Sequence, residues 1–329
     1  MSIDISYYQL QPMGGSYRHM RQGALIRLTT KEGGIGYGDC HPWHELGDFE
    51  LKKQLALLAT GKLTPLTQRT IAAAQLDASA RKTQKHLFAT LKVPPSHHHL
   101  AELSSSQGHN LERLVRAIPS VFKIKVGIDP KHELAILQQW WPVLRQGKGR
   151  LRLDFNCRLT RSDFETYLQA LGDVRDCIDF YEDPCVYDPQ QWQQLREKYG
   201  VVLACDRESL RALPHPHSCD VLVVKPAVQD VGCFLGESRA GRQLVITSYV
   251  DHPIGQLTAA HAAAVVFRDE PEALGLCGLL THHAFAATPF SMRFGEVDGC
   301  LIPSSIGVGW GYDDLWETLP WQPLLKELL

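Results

Sequence analysis

The sequence predicts an α/β barrel with a separate α+β element in front of it. Three observations point there: eight short β-branched runs from about residue 97 onward, amphipathic stretches between them, and a different pattern before residue 97. The runs are HLAELS, VFKIKVG, RLRLDFN, CIDFYEDP, VVLACD, VLVVKP, QLVITSY and ALGLCGL. Between them, LERLVRAI, HELAILQQWWPVL, DFETYLQAL, PQQWQQLREKY and PIGQLTAAHAAAVVF repeat apolar residues at three- and four-residue intervals, the period of a helix with one buried face. Repeated strand–helix units predict parallel strands with right-handed crossovers, and eight of them close most economically into a barrel. An open doubly wound sheet is the alternative, but no GxGxxG follows the first strand, which weakens its dinucleotide-binding version.

Before residue 97, YRHMRQGALIRLTTKEGGIGYGDCHPW holds two extended runs around a turn-like KEGG, the pattern of an antiparallel hairpin. Helical stretches ELKKQLALLAT and IAAAQLDASARKTQKHLF follow. The tail from about residue 290 has no further strand–helix unit and is expected to return to this first element. The expected division is therefore residues 1–96, completed by about 290–329, and a barrel over 97–289.

Composition narrows the function classes. The chain has 329 residues, 44% hydrophobic and 21% charged, with a formal net charge of −2. It has no apolar run long enough to span a bilayer and no basic run to track a phosphate backbone, so a small molecule is the expected partner rather than membrane or nucleic acid. The start, MSIDISYYQL, lacks the features of an export signal, and a cytoplasmic protein is expected. Nine scattered cysteines without a CxxC pair read as reduced thiols. Consecutive histidines, His97-His98-His99 and His282-His283, alternate in direction on an extended chain and are not expected to converge on one ion.

The chemistry is expected at the carboxyl ends of the strands, where side chains clear the packed interior of a barrel. Five consecutive runs end there in charge: Lys123 and Lys125, Asp154, Glu182, Asp206, and Lys225. Side-chain parity sharpens the reading. Lys123 and Lys125 share one face against Phe122, Ile124 and Val126; Arg150, Arg152, Asp154 and Asn156 oppose Leu151, Leu153 and Phe155. Val202 and Ala204 precede Asp206, and Val221 and Val223 precede Lys225, so apolar layers lie below the charges. Singly, each charge has a plainer use. Asp206 could cap a helix, Glu182-Asp183-Pro184 could be turn chemistry, and a Lys-x-Lys pair commonly edges a sheet. Together, charges turned into a barrel persist only if paired or bound to a cation. Three carboxylates without Cys or His make an all-oxygen set suited to Mg²⁺, with Mn²⁺ as a substitute, and disfavour zinc. Lysines beside such an ion suit proton removal next to a carboxylate, because a neighbouring cation lowers the lysine pKa and stabilises the enediolate formed.

The ordered set Lys123-x-Lys125, Asp154, Glu182, Asp206 and Lys225, with GYGDCHPW, resembles the lysine-based, muconate lactonising branch of the enolase superfamily over most of the chain. The resemblance implies a (β/α)7β TIM-like barrel with an α+β capping domain, Asp154, Glu182 and Asp206 as metal ligands, and Mg²⁺ as cofactor. Within that branch, LRLDFN, the YEDP turn and ITSYVDHPIG are similar to the o-succinylbenzoate synthase family of menaquinone biosynthesis. That implies a dicarboxylate substrate and a syn dehydration. Lys125 would be base and then acid, Lys225 would stabilise the enediolate from the opposite face, and Lys123 would tune Lys125. Candidate substrate contacts are Arg152, Asn156, Ser248 and Tyr249, with an internal salt bridge an equal alternative for Arg152.

The sequence departs from that family in two places. Asp206-Arg207-Glu208-Ser209 stands where Asp-Glu-Ser is usual, and Ser248-Tyr249 with Asp251-His252 where Ser-Ser and Glu-Ser are. An N-succinylamino acid racemase shares the core residues. A dipeptide epimerase is disfavoured because GLCGLLTHHAF lacks an Asp-x-Asp. A non-catalytic binding barrel is the remote alternative.

Overall fold

The computed structural model describes residues 2–14, 19–100, 103, 115 and 121–324. By its internal contacts the chain divides into two compact units, Met1–Ser96 with Lys225–Cys233 and Ile246–Leu329, and His97–Val224 with Phe234–Val245.

In the first unit, β1 (Ser2–Leu10), β2 (Arg21–Thr29) and β3 (Ile35–Cys40) form an antiparallel sheet, and β2 and β3 are the two arms of the KEGG hairpin. β1 is an additional strand that the sequence reading did not assign. It pairs with β2 along its whole length, from Ser2↔Thr29 to Leu10↔Arg21. Helix α1 (Leu51–Ala59) and helix α2 (Pro65–Lys82) follow. Thr64 starts α2 with a capping box to Thr67, and Pro65 sits in the first turn, where its missing N–H is not needed. The core joins Ile5, Ile26 and Leu28 of the sheet to Leu55, Leu66 and Ile71 of the helices.

The GYG sequence has a steric reason. A Cβ on Gly36 would strike the carbonyl oxygen of Ala74, and one on Gly38 the carbonyl oxygen of Thr70, so α2 lies directly against the β3 backbone. Buried Asp77 of α2 ties this contact to the tail. Its Oδ2 accepts the Tyr37 N–H at 3.0 Å and Arg81 Nε–H at 2.8 Å, and its Oδ1 accepts the Trp310 N–H at 2.6 Å.

The second unit carries a parallel sheet whose order follows the chain: β4 (His98–Leu100), β5 (Val121–Lys125), β6 (Arg150–Asp154), β7 (Ile178–Glu182), β8 (Leu203–Cys205), β9 (Val221–Val224) and β10 (Gln243–Ile246). These are seven of the eight expected runs. Helices α3 (Pro130–Gly147), α4 (Arg161–Leu171) and α5 (Pro189–Tyr199) cross between β5 and β8, each opened by a side-chain cap, from Asp129, Thr160 and Asp188. A single turn, α6 (Ser209–Ala212), stands between β8 and β9. The expected helix LERLVRAI lies outside the described residues except for Val115, which is helical.

The eighth run is reduced to parallel bridges, Ser96↔Cys277 and Thr247↔Gly278. Cys277 N–H bonds to the Pro95 carbonyl at 2.9 Å and Gly278 N–H to the Ile246 carbonyl at 2.9 Å. Residues 277–278 thus bond to the chain just before β4 and at the end of β10, the place of a last strand in a (β/α)7β barrel. Helix α7 (Pro253–Asp269) precedes them, and a hairpin β11 (Gly295–Val297) and β12 (Cys300–Ile302), a short α8 (Asp313–Thr318) and β13 (Gln322–Pro323) follow. β13 adds to β1 at Asp4↔Pro323. Among the described residues no helix is long and apolar enough to cross a membrane.

Because the β3–α2 approach leaves no room for a methyl group, Gly36→Ala should lower unfolding free energy by about 1–3 kcal/mol in urea titration. An unchanged midpoint would mean that the two backbones are further apart than described.

Candidate active site

The parity argument describes the interior of the parallel sheet. Phe180, Ala204, Val221, Val223 and Val245 form one buried apolar cluster. Each precedes a strand end, and the charges stand above them. On the other face Phe122, Ile124, Val126, Leu151, Leu153 and Phe155 are fully buried.

Above the apolar layer, Lys123 donates to Glu182 Oε1 at 2.7 Å and lies 3.2 Å from Asp154 Oδ2. Glu182 is 1% exposed and Asp154 5%. Burial pushes the Glu182 carboxyl up to about 8; Lys123 opposes this, and the negative charges of Asp154, Asp206 and Asp183 add to it. Burial disfavours the Lys123 ammonium, but Asp154, Glu182 and Asp206 outweigh it and its pKa rises. Lys123 is therefore a fixed cation. Lys125 pairs with Asp154 across β5 and β6 and shares the parity of Lys123. Asp206, just past β8, acts on Lys123 and Glu182 through its charge. Asn156 folds back on the same carboxylate, its N–H and Nδ2 both donating to Asp154 Oδ1, at 3.1 and 2.8 Å.

Asp183, for which the sequence suggests only turn chemistry, organises the next loop. It is buried, and its two oxygens accept the N–H groups of Asp206 and Arg207, each at 3.0 Å. The carboxylate expected to act in the site is thus aimed by the residue after Glu182. Its pKa rises to about 7 through burial and the Asp206 charge, offset by those two N–H groups. Backbone strain collects here as well: Asn156, Cys157 and Asp183 have φ of 49°, 59° and 42°.

Arg152 performs the internal role. It is 3% exposed, its Nε donates to Asp179 at 2.8 Å, its Nη1 meets His97 Nδ1 at 2.9 Å, and its guanidinium lies 4.5 Å over the Phe180 ring. A register shift makes this possible. Leu151 pairs with Ile178 but Arg152 with Phe180, so Asp179 is an extra residue between them. The histidine run does alternate in direction: His98 stacks on Phe122 while His97 reaches Arg152. His99 pairs with Lys123 across the strands, and the charges of Lys123 and Lys125 act to lower its pKa.

In the first unit, Lys225 follows β9, and its Nζ stands 6.0 Å from the Tyr249 ring centre. Tyr249 donates to Asp48 at 3.0 Å, and the Ser248 hydroxyl bonds with that of Thr281. Val250, directly after them, has φ 52°, a conformation that costs a β-branched residue about 1–3 kcal/mol.

Among the described residues, His282, His283 and Glu296 are a set whose possible ligand atoms all lie within 4.8 Å of one another. At the strand ends, Lys123 is the cation between Asp154 and Glu182. Gln256 donates its amide N–H to His282 Nδ1, which places the neutral ring's proton on Nε2 and leaves that ring a poor ligand.

Comparison with known proteins adds family relationships. Residues 3–80 match the model of the O-succinylbenzoate synthase N-terminal domain, and residues 108–315 that of the Enolase C-terminal domain-like family. The chain is 29% identical to an o-succinylbenzoate synthase of Bdellovibrio bacteriovorus, over 98% of this chain and 99% of that one. Two solved structures share the fold. One is a mandelate racemase/muconate lactonizing enzyme from Roseiflexus sp., 19% identical, covering 98% of each chain with TM-score 0.76. The other is an N-succinyl Arg/Lys racemase from Bacillus cereus, 17% identical, covering 97% of this chain and 98% of that one with TM-score 0.73.

Asp183→Ala should strip acceptors from two loop N–H groups and destabilise the protein by about 2 kcal/mol or more, while Asp183→Asn, which keeps one acceptor, should lose less. Urea titration of both checks the order. Equal stability of the three proteins would remove Asp183 from its organising role.

Proposed function

The chain belongs to the Enolase C-terminal domain-like family, and on that premise we propose that it is an o-succinylbenzoate synthase, a hydro-lyase that converts 2-succinyl-6-hydroxy-2,4-cyclohexadiene-1-carboxylate to 2-succinylbenzoate and water. The observation that carries the reading is the charged cluster at the strand ends of this family's barrel, together with a near full-length likeness to a synthase. The division into a capping domain, residues 1–96 with 290–329, and a barrel, 97–289, is part of the same proposal.

Asp154, Glu182 and Asp206 suit Mg²⁺ by donor type. They offer only carboxylate oxygens, and the chain's own cations leave Glu182 with its carboxyl pushed up to about 8. When bound, such a hard cation supplies fixed positive charge for the negative charge that develops on the substrate carboxylate.

Lys125 is the proposed base. It removes the proton on the carbon next to the carboxylate, and its conjugate acid then protonates the departing hydroxide, so H⁺ and OH⁻ leave as one water and the ring becomes aromatic. Lys123 cannot serve as that base, because its pairing with Glu182 and Asp154 holds it charged. Its role in the proposal is to keep a positive charge beside Lys125, which favours the neutral form of Lys125. Lys225 is proposed to stabilise the enediolate. Ser248 and Tyr249 are proposed substrate contacts, whereas Asn156 acts through Asp154 and Arg152 through the sheet interior. The substrate is a small dicarboxylate. N-succinylamino acid racemisation is the second reading, favoured by the shared fold of the Bacillus cereus racemase.

Purified protein should consume the cyclohexadiene substrate, followed by loss of diene absorbance, and lose that activity in EDTA. Lys125→Ala should slow turnover by about a thousandfold or more. A Lys125→Ala protein with the parental rate would end the base assignment. Solvent deuterium entering the α-carbon of an N-succinylamino acid faster than diene loss would favour the racemase reading.

A further inference from the structure

Away from the lysine cluster, the first unit buries a second pair of acids that the reaction does not use. Asp39 ends the GYGD motif on β3, and Asp251 stands just before α7; they are 8% and 3% exposed. Their carboxyl tips converge on Gly255, since a Cβ built there would run into Oδ2 of both residues. Oδ2 of Asp39 and Oδ1 of Asp251 have no hydrogen-bond partner. Both residues line a cavity of about 10 Å³, room for about one water molecule, with Arg69, Thr70 and Thr258.

The groups facing the pair do not supply the missing charge. Tyr8 of β1 donates its hydroxyl to Asp39 Oδ1 at 2.6 Å and meets His41 Nδ1 at 2.9 Å. The proton of Tyr8 being committed to Asp39, His41 is the donor to the tyrosine oxygen. His252 takes the Ile254 N–H on Nδ1, and its ring packs on Tyr8. Burial holds both imidazoles neutral, at about 3. Arg69 of α2 is engaged by the Pro226 carbonyl and Asp230. Two adjoining carboxylates in such surroundings cannot both ionise.

We propose that Asp39 and Asp251 share one proton between their facing oxygens, and that this acid pair is a positioning element that holds the Ser248–His252 turn, and with it Tyr249 beside Lys225. The turn contains the strained Val250, so its shape must be imposed by bonds at its ends. At one end Tyr249 bonds to Asp48 and Ser248 to Thr281. At the other, the joined acids fasten Asp251 to β3. The positioning part rests on the synthase reading; the shared proton does not.

The sign of the pH effect follows from the raised pKa values of the pair. Burial pushes Asp39 from 3.8 up to about 7 and, with the Asp39 charge, raises Asp251 well above its ordinary range. The folded protein therefore holds a proton that the unfolded chain gives up above about pH 4. The pair's stabilisation is complete below that pH and is lost as pH rises through about 7.

The test compares the natural protein with Asp251→Asn, Asp251→Ala and Asp39→Asn in three measurements. The thermal midpoint of the natural protein relative to Asp251→Asn should fall as pH rises from about 5 to 8, because the amide removes the titrating proton. A pH-independent difference, in Asp39→Asn as well, overturns the shared proton. Infrared difference spectra of the natural protein at pH 6 should show a protonated carboxylic acid carbonyl that Asp251→Asn lacks, and its absence also overturns the proposal. In the dehydration assay, Asp251→Ala should raise KM about tenfold, and Asp251→Asn, whose amide can donate to ionised Asp39, should restore it. Equal KM for Ala and Asn overturns the positioning role. No dehydration by the natural protein would instead sink the synthase reading and leave the thermal and infrared arms to decide the proton.

Discussion

Glu182 is almost wholly buried and still faces two other carboxylates, so its charge can persist only beside a cation fixed in place. Lys123 is that cation from within the chain, bonded to Glu182 and close to Asp154. The rest of the parallel sheet serves the same constraint. Phe180, Ala204, Val221, Val223 and Val245 fill the layer beneath the charges, which keeps water from entering from below and concentrates the field at the strand ends. Removing one member of such a cluster is more disruptive than removing a surface pair, because the partner is left charged in a dry place.

Precise placement at the strand ends demands loops that the backbone does not adopt freely. Asn156, Cys157 and Asp183 all take left-handed φ values directly after β6 and β7. The compensation is visible in hydrogen bonds: Asn156 bonds to Asp154 through both backbone and side chain, the Cys157 N–H bonds to the Asp183 carbonyl at 2.7 Å, and Asp183 takes two N–H groups from the next loop. Strain on one strand end is thus offset by bonds to its neighbour, and consecutive strand ends are positioned as a set rather than one by one.

Much of this was legible in the sequence because strand parity is strict. A period of two assigns Lys123, Lys125, Asp154 and Glu182 to one face and Phe122, Ile124, Leu151 and Leu153 to the other without knowledge of tertiary contacts. What escaped is what breaks the period or depends on partners distant in sequence. Asp179 meets Arg152 only because β7 carries an extra residue, and a register shift leaves no mark in the hydrophobic pattern. Asp183 looks like any acid before proline; its task is set by β8, which lies beside it only after folding. β1, whose SIDISYYQL alternates as a strand does, gains its partner β2 only on folding. The same alternation that argues against a three-histidine site sends His97 and His99 toward the charged face and His98 away from it.

The chain handles buried acidity in two chemically distinct ways. At the ends of β5, β6 and β7 a lysine is built in, yet burial and the neighbouring acids still push the Glu182 carboxyl up to about 8, and in the proposed function a hard cation meets the remaining electrostatic demand of the oxygen-only donor set. Around Asp39 and Asp251 the neighbouring titratable groups are a phenol and two neutral imidazoles, and the nearby arginine is bonded to Asp230 and Pro226, so a proton is the cheapest compensating charge. A proton also fits where an ion does not, in a cavity of about 10 Å³ beneath which Gly255 has no side chain to spare. The two solutions differ in what can disturb them. Under the proposed function a chelator acts on the first alone, whereas an alkaline buffer reaches both, since the raised carboxyls of Glu182 and Asp39 lie at about 8 and about 7.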